Sequence, residues 1–144
     1  MKTSDCELCT RPGGEVIWQD DRCRVVRIDG AEGLAFVGFC RVIWNQHVAE
    51  MSDLTQHDRR HLLAVVCAVE SALRSLLKPD KINLASLGNL VPHLHWHVIP
   101  RWRDDSHFPA PIWAPARRPG ATHRPVLGSH ALHEAINEAL EAEL

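Results

Sequence analysis

The ten residues Pro92-His93-Leu94-His95-Trp96-His97-Val98-Ile99-Pro100-Arg101 constrain this chain more than any other stretch. Three histidines alternate with Leu94, Trp96 and Val98. A β-strand turns successive side chains to opposite faces. The alternation therefore predicts a strand with His93, His95 and His97 on one face and the apolar residues turned into a core. Same-face neighbours on a strand stand about 7 Å apart, so three imidazoles in a row can meet one anion, one metal ion or one reacting phosphorus. Each buried ring needs partners for two nitrogens, which makes such a row costly unless it performs chemistry.

The remaining elements follow from local pattern. Glu15–Trp18 and Arg22–Ile28 predict two strands with a turn at Gln19-Asp20-Asp21, and Asp29–Gly33 predicts a loop. A third strand is expected from about Phe36 to Trp44, ending at Asn45-Gln46-His47. Leu62, Val65, Val66, Val69, Leu73 and Leu76 step by three and four residues, the period of an amphipathic helix. Ser52 or Asp53 is the expected N-cap, and Pro79 follows the end. His57 and His61 are expected on the helix surface, and Cys67 as a small packed hydrophobe. Lys81–Leu87 predicts a fourth strand, antiparallel to the histidine strand across a short loop. The segment Arg101–Gly120 is too apolar for a free tail and is expected to pack on the domain or on a second subunit. Ser129–Leu144 predicts a short helix with Leu132, Ile136 and Leu140 on one stripe.

Composition bounds the function. At 144 residues one domain is the default. A net charge of −2 gives no basic field for a nucleic-acid polymer. No apolar run nears the roughly 18 residues of a membrane span, and Met1–Pro12 lacks a signal-peptide core. Five cysteines without an export signal predict reduced thiols or a metal site in a cytoplasmic protein. Cys6-x-x-Cys9 supplies at most half of a structural zinc site, whose other ligands would be distant histidines.

Two chemistries suit the histidine row. The rings could hold a catalytic zinc, but no carboxylate precedes the triad within six residues to act as its acid or base. Alternatively one neutral imidazole attacks phosphorus and forms a phosphoramidate that water then hydrolyses. That route needs donors for the non-bridging oxygens. Asn83, Asn89 and Ser86 are the candidates, and they favour the second chemistry. Arg117 and Arg118 are expected to be solvated.

His93-Leu-His-Trp-His-Val-Ile99 resembles the defining motif of the histidine-triad (HIT) superfamily, in its diadenosine polyphosphate hydrolase-like branch. Cys6-x-x-Cys9, Gly38–His47 and Asn83–Arg101 resemble further parts of the pattern, so the likeness covers about residues 6–105 and leaves a C-terminal extension, 106–144. The resemblance implies a single α+β domain over 1–144. It would have a five-stranded antiparallel sheet, a long helix and a C-terminal helix, dimerised into a ten-stranded sheet. It implies a nucleotide phosphohydrolase or nucleotidyl transferase acting at an α-phosphate of dinucleoside polyphosphates or nucleoside phosphoramidates, with no cofactor required for catalysis. His95 would be the nucleophile, His97 would bind the α-phosphate and departing group, and His93 would orient His95. Asn83, Asn89, Asp29 and Arg101 match substrate-side positions, Asp29 as a ribose-binding acid. Cys6, Cys9, His47 and His93 match the ligands of a structural zinc. Phe39 stands where the family often has histidine, Leu90 where it often has serine or threonine, and Trp44-Asn45 where it has Pro-Lys. The lost polar contacts keep a weakly catalytic, nucleotide-binding or regulatory module as the alternative, with a zinc-dependent hydrolase as a third reading.

Overall fold

The computed structural model describes residues 3–143. Ten elements follow in order: α1 (Glu7–Thr10), β1 (Glu15–Gln19), β2 (Cys23–Arg27), α2 (Gly30–Ala35), β3 (Cys40–Trp44), a 3-10 turn (Met51–Asp53), α3 (Gln56–Leu77), β4 (Lys81–Ala85), β5 (His95–Arg101) and α4 (Ser129–Glu143). The strands form one antiparallel sheet in the order β1-β2-β3-β5-β4. The α+β expectation of five antiparallel strands, a long helix and a C-terminal helix is met.

Helices α3 and α4 cover one face. Leu62, Val65, Val66, Val69 and Leu73 of α3 pack with Leu132 and Ile136 of α4 against Val25, Val42 and Val98. Burying such side chains contributes about 1.5–3 kcal/mol each, enough to fix which face is which. The opposite face carries Val26, Arg41, Ile43, His95, His97 and Ile99, because residues paired across antiparallel strands share a face. Two smaller apolar clusters cover it: Leu8 with Val26 and Ile43, and Phe36, Phe39 and Ile112 with Ile28 and Ile99.

Side-chain contacts tie these layers. A register shift between Val16 and Trp18 opens β1, and the imidazole Nδ1 of His133 on α4 lies 2.8 Å from the freed Ile17 carbonyl. Trp18 Nε1 donates to Asn137 Oδ1 at 2.9 Å. The 101–120 segment does pack on the domain, with Ile112 in an apolar cluster, and Arg101 organises it. Arg101 is almost fully buried, pairs with Asp105 at 2.7 and 3.0 Å, and donates to the Ala110 carbonyl at 2.8 Å.

Several local expectations are corrected. Asp29–Gly33 is no loop, since Gly30 opens α2 and Phe36 caps it, so β3 starts at Cys40. Gly30 takes φ +70°, a conformation glycine adopts without strain, and turns the chain from β2 into α2. Thr55 caps α3 by accepting from the Asp58 amide at 3.1 Å, while Ser52 and Asp53 form the preceding turn. His61 is not on the surface but reaches Asp20 Oδ2 at 2.7 Å, linking α3 to the β1–β2 turn. Cys67 lies on the exposed side of α3. No helix of the described residues is long and apolar enough to cross a membrane.

Candidate active site and metal centre

The three histidines do not stay in one row. β5 starts at His95, and the residues before it leave the ladder. The His93 amide bonds to Val91 and the Leu94 amide to Val48, at 2.8 Å each. This kink sends the His93 ring away from the other two. His95 and His97 remain paired on the sheet face, edge to face, with ring centroids 4.9 Å apart.

His93 contributes its backbone instead. Nδ1 of His95 lies 2.6 Å from the His93 carbonyl. A carbonyl only accepts, so Nδ1 carries the proton and Nε2 keeps its lone pair. No described residue bonds that Nε2. Burial lowers the His95 pKa, opposed by the His93 carbonyl and reinforced by the nearby charge of Arg41. The ring is therefore neutral, in one tautomer, with its nucleophilic nitrogen free. A cleft of about 380 Å³ between the Ala49–Ser52 segment and the Ser86–Gly88 loop reaches His93 and His95.

His97 is buried beside His95. Burial, then the neighbouring His95 and Arg41 charges, push it down to about 3. Its Nδ1 is buried without a partner. Phe39 packs at 5.7 Å and Trp113 edge-on at 5.0 Å. Trp113 comes from the C-terminal extension, which brings part of its wall to the site.

The His93 ring belongs to a second constellation. Its Nε2 donates to the Trp44 carbonyl at 2.5 Å, which fixes the tautomer and leaves the Nδ1 lone pair free. Nδ1 lies 3.4 Å from Cys6 Sγ, 3.5 Å from Cys9 Sγ and 3.3 Å from His47 Nδ1, and Cys9 Sγ lies 3.4 Å from His47 Nδ1. All four ligand atoms lie within 4.8 Å of one another. A tetrahedral zinc with ordinary Zn–S and Zn–N bonds has edges of about 3.3–3.6 Å between such atoms, so this set fits the ion. Arg24 holds the cysteine loop from β2, donating to the carbonyls of Leu8, Arg11 and Pro12 at 2.7, 3.2 and 2.9 Å. His95 and His97 are outside this ligand set, so the three rings do not converge on one metal ion.

The other sequence-predicted residues are placed unequally. Asn83 Oδ1 accepts from Arg101 at 2.8 Å, and Arg101 itself is engaged within the fold. Its guanidinium is committed to Asp105, Asn83 and the Ala110 carbonyl. Asn89 is exposed in the β4–β5 loop. The Ser86 hydroxyl donates to the His95 carbonyl at 3.0 Å and supports the strand. Asp29 is exposed and lines a cleft with Ala121–Leu127 that contains neither His95 nor His97. Leu90 is almost fully exposed. Arg118 is not simply solvated, since it donates to the Asp105 and Phe108 carbonyls at 2.7 Å each.

Sequence reasoning missed Arg41 and Trp113. Arg41 was legible as a charge inside an otherwise apolar strand. Trp113 carried no local signal, because its partner lies sixteen residues earlier along an irregular path.

The family model for the HIT domain matches residues 13–104, more than half of the chain. An AP-4-A phosphorylase of Mycobacterium tuberculosis is 30% identical over 77 residues, which is 49% of this chain and 40% of that protein. The chain thus spans about two fifths of the length of the curated relatives it matches. A histidine triad protein from Marinobacter aquaeolei superposes with a TM-score of 0.70 at 21% identity, covering 100% of both chains. A Zn-bound histidine triad family protein from Mycobacterium smegmatis gives 0.61 at 20% identity, over 96% of this chain and 94% of that one. At these identities the structural likeness speaks for the fold.

Proposed function

The chain belongs to the HIT domain family, and from that premise we propose that it is a nucleotide-processing enzyme in which His95 takes a nucleotidyl group from an α-phosphate. The observation that carries this is the hydrogen bond from His95 Nδ1 to the His93 carbonyl, which leaves Nε2 as a ready nucleophile. In the first step the Nε2 lone pair forms a bond to the α-phosphorus. The bond from that phosphorus to the leaving group breaks, and its electron pair departs with that group. The positive charge left on the ring is stabilised by the His93 carbonyl. In the second step water or another acceptor attacks the same phosphorus, its proton passes to solvent, and the lone pair returns to Nε2. His97, edge to face with His95 at 4.9 Å, would meet a non-bridging oxygen as charge grows there.

The substrates we favour are dinucleoside polyphosphates, with nucleoside phosphoramidates as the other class. The AP-4-A phosphorylase similarity supports the first. Asn83 and Asn89 stand as phosphate or ribose contacts and Asp29 as a ribose acid on the resemblance alone. Cys6, Cys9, His47 and His93 would hold a structural zinc, which would fasten the N-terminal loop to the end of β3 and the start of β5. The free edge of β4 would pair with its copy in a ten-stranded dimer. A binding module without turnover is the reading Phe39 favours, since its ring fills a place beside His97 with no donor.

Rapid quench into alkaline denaturant with diadenosine tetraphosphate tests the proposal, because the phosphorus–nitrogen bond survives alkali and not acid. A covalent AMP adduct on the peptide carrying His95, absent in His95→Ala, is the expected result. Full turnover by His95→Ala would end it, and nucleotide affinity without any adduct would favour the binding module.

A further inference from the structure

Among the described residues, the fold leaves Arg41 without an anion. Arg41 lies in the middle of β3, and the register sets it directly opposite His97. Paired residues of antiparallel strands put their side chains on one face with Cβ atoms about 5 Å apart, so the guanidinium stem rises beside the His95–His97 pair. The residue is half-buried, and its Nε is buried with no hydrogen-bond partner. No carboxylate reaches it among the described residues. The other arginines of this face are engaged: Arg24 with the N-terminal carbonyls and Arg101 with Asp105. A half-desolvated guanidinium without a counter-charge is unfavourable for folding, and this one stands on the strand beside the His95–His97 pair.

We propose that Arg41 binds the phosphate next to the α-phosphate, and so selects substrates whose leaving group is an anionic polyphosphate over those that release a neutral amine. The inference rests on the proposal that His95 attacks the α-phosphorus. The charge that develops in that step appears on the oxygen joining the α-phosphate to the departing group. One bridging oxygen separates adjacent phosphates, so a long side chain on the neighbouring strand reaches the second phosphate while His95 meets the first. A guanidinium offers paired N–H donors that match phosphate oxygens. An amine leaving group presents no charge to it, and Arg41 then stays desolvated and unpaired. Neither Phe39, packed on His97, nor the exposed Leu90 supplies a donor here, so Arg41 is the charge this site has for the purpose. The burial of Nε also fixes the stem, so only the terminal nitrogens need to order on binding.

The full chain is assayed as wild type, Arg41→Leu and Arg41→Lys, on diadenosine tetraphosphate and on adenosine 5′-phosphoramidate. Arg41→Leu should lose about 100-fold in kcat/KM on the tetraphosphate, the usual size for one charge-stabilising donor. It should change little on the phosphoramidate, and Arg41→Lys should recover part of the loss. Equal losses on both substrates, or none on either, would overturn the assignment. Calorimetric titration with ADP and with AMP tests the same contact without turnover. Arg41→Leu should weaken ADP about tenfold relative to AMP, and an unchanged ratio would overturn it. If neither substrate leaves an adduct on His95, the nucleophile proposal falls while the ADP-to-AMP ratio still decides Arg41. Thermal unfolding completes the test. Removing an unpaired cation should leave the unliganded protein at least as stable as wild type, and a lower midpoint would mark Arg41 as structural.

Discussion

His93 faces two ways: its carbonyl holds Nδ1 of His95 at 2.6 Å, and its ring points Nδ1 at Cys6, Cys9 and His47. One residue thus joins the candidate metal centre to the candidate nucleophile, and it does so through the main chain. The Trp44 carbonyl, 2.5 Å from His93 Nε2, anchors the same residue to β3. The ring can be removed while the carbonyl remains, so the two roles are separable by mutation.

Metal analysis should therefore find one zinc per chain, lost in Cys9→Ser and in His93→Ala. Chelation should lower the thermal midpoint by about 10 °C, the size expected when a tightly bound ion leaves a domain of this length. The rate of adduct formation, corrected for the folded fraction, should fall far less in His93→Ala than in His95→Ala. An equal collapse of both would show that the ring, not the carbonyl, orients the nucleophile.

Thiol labelling should follow burial. Desolvation raises the Cys23 pKa and brings Cys40 to about 12, so neither offers a thiolate at neutral pH. Burial also raises Cys67, more modestly, but it is exposed on α3. With metal bound, maleimide should modify Cys67 alone. After chelation Cys6 and Cys9 should react as well. Protection of Cys6 and Cys9 that persists without metal would argue against zinc ligation.

Replacing His97 should strip one donor from the phosphoryl oxygens. His97→Ala should slow single-turnover adduct formation about 100-fold with little loss of folding stability. An unchanged single-turnover rate would remove His97 from the chemistry. Because burial already holds the ring neutral, with a pKa of about 3, its titration should leave no feature in the rate profile between pH 5 and pH 8.

Asp105 governs acid stability of the extension. Burial alone would raise its carboxyl, but hydrogen bonds from Arg101 and from the amides of His107 and Phe108 outweigh burial and bring it to about 2. The folded pKa lies below the unfolded value of about 3.9. This contribution is therefore complete above about pH 5, and is lost as pH falls from there through about 2. Its size is on the order of 2 kcal/mol. Asp105→Asn should flatten that part of the stability profile. Asp105→Ala should cost about 3–5 kcal/mol by stranding the buried Arg101. Denaturant titrations across pH 2–6 measure both, and parallel wild-type and Asp105→Asn curves would refute the assignment.

The order of the polypeptide by itself determined which residues face which way within each element. Alternation put Trp96 and Val98 in the core and His95 and His97 on the other face, and the three-four stripe gave α3. The cysteine pair was legible as half of a metal site from its own spacing, but His47 and His93 joined it only through resemblance, since spacing along the chain says nothing of distances across it. Tertiary structure decided the rest. Bonds of the His93 and Leu94 amides to Val91 and Val48 took His93 off the strand and divided the triad between two centres. Packing buried Arg101 under the extension, brought Trp113 against His97, and turned His61 inward to Asp20. Periodicity reports a short-range preference of the backbone, whereas these placements depend on partners that only the folded chain brings within hydrogen-bonding range.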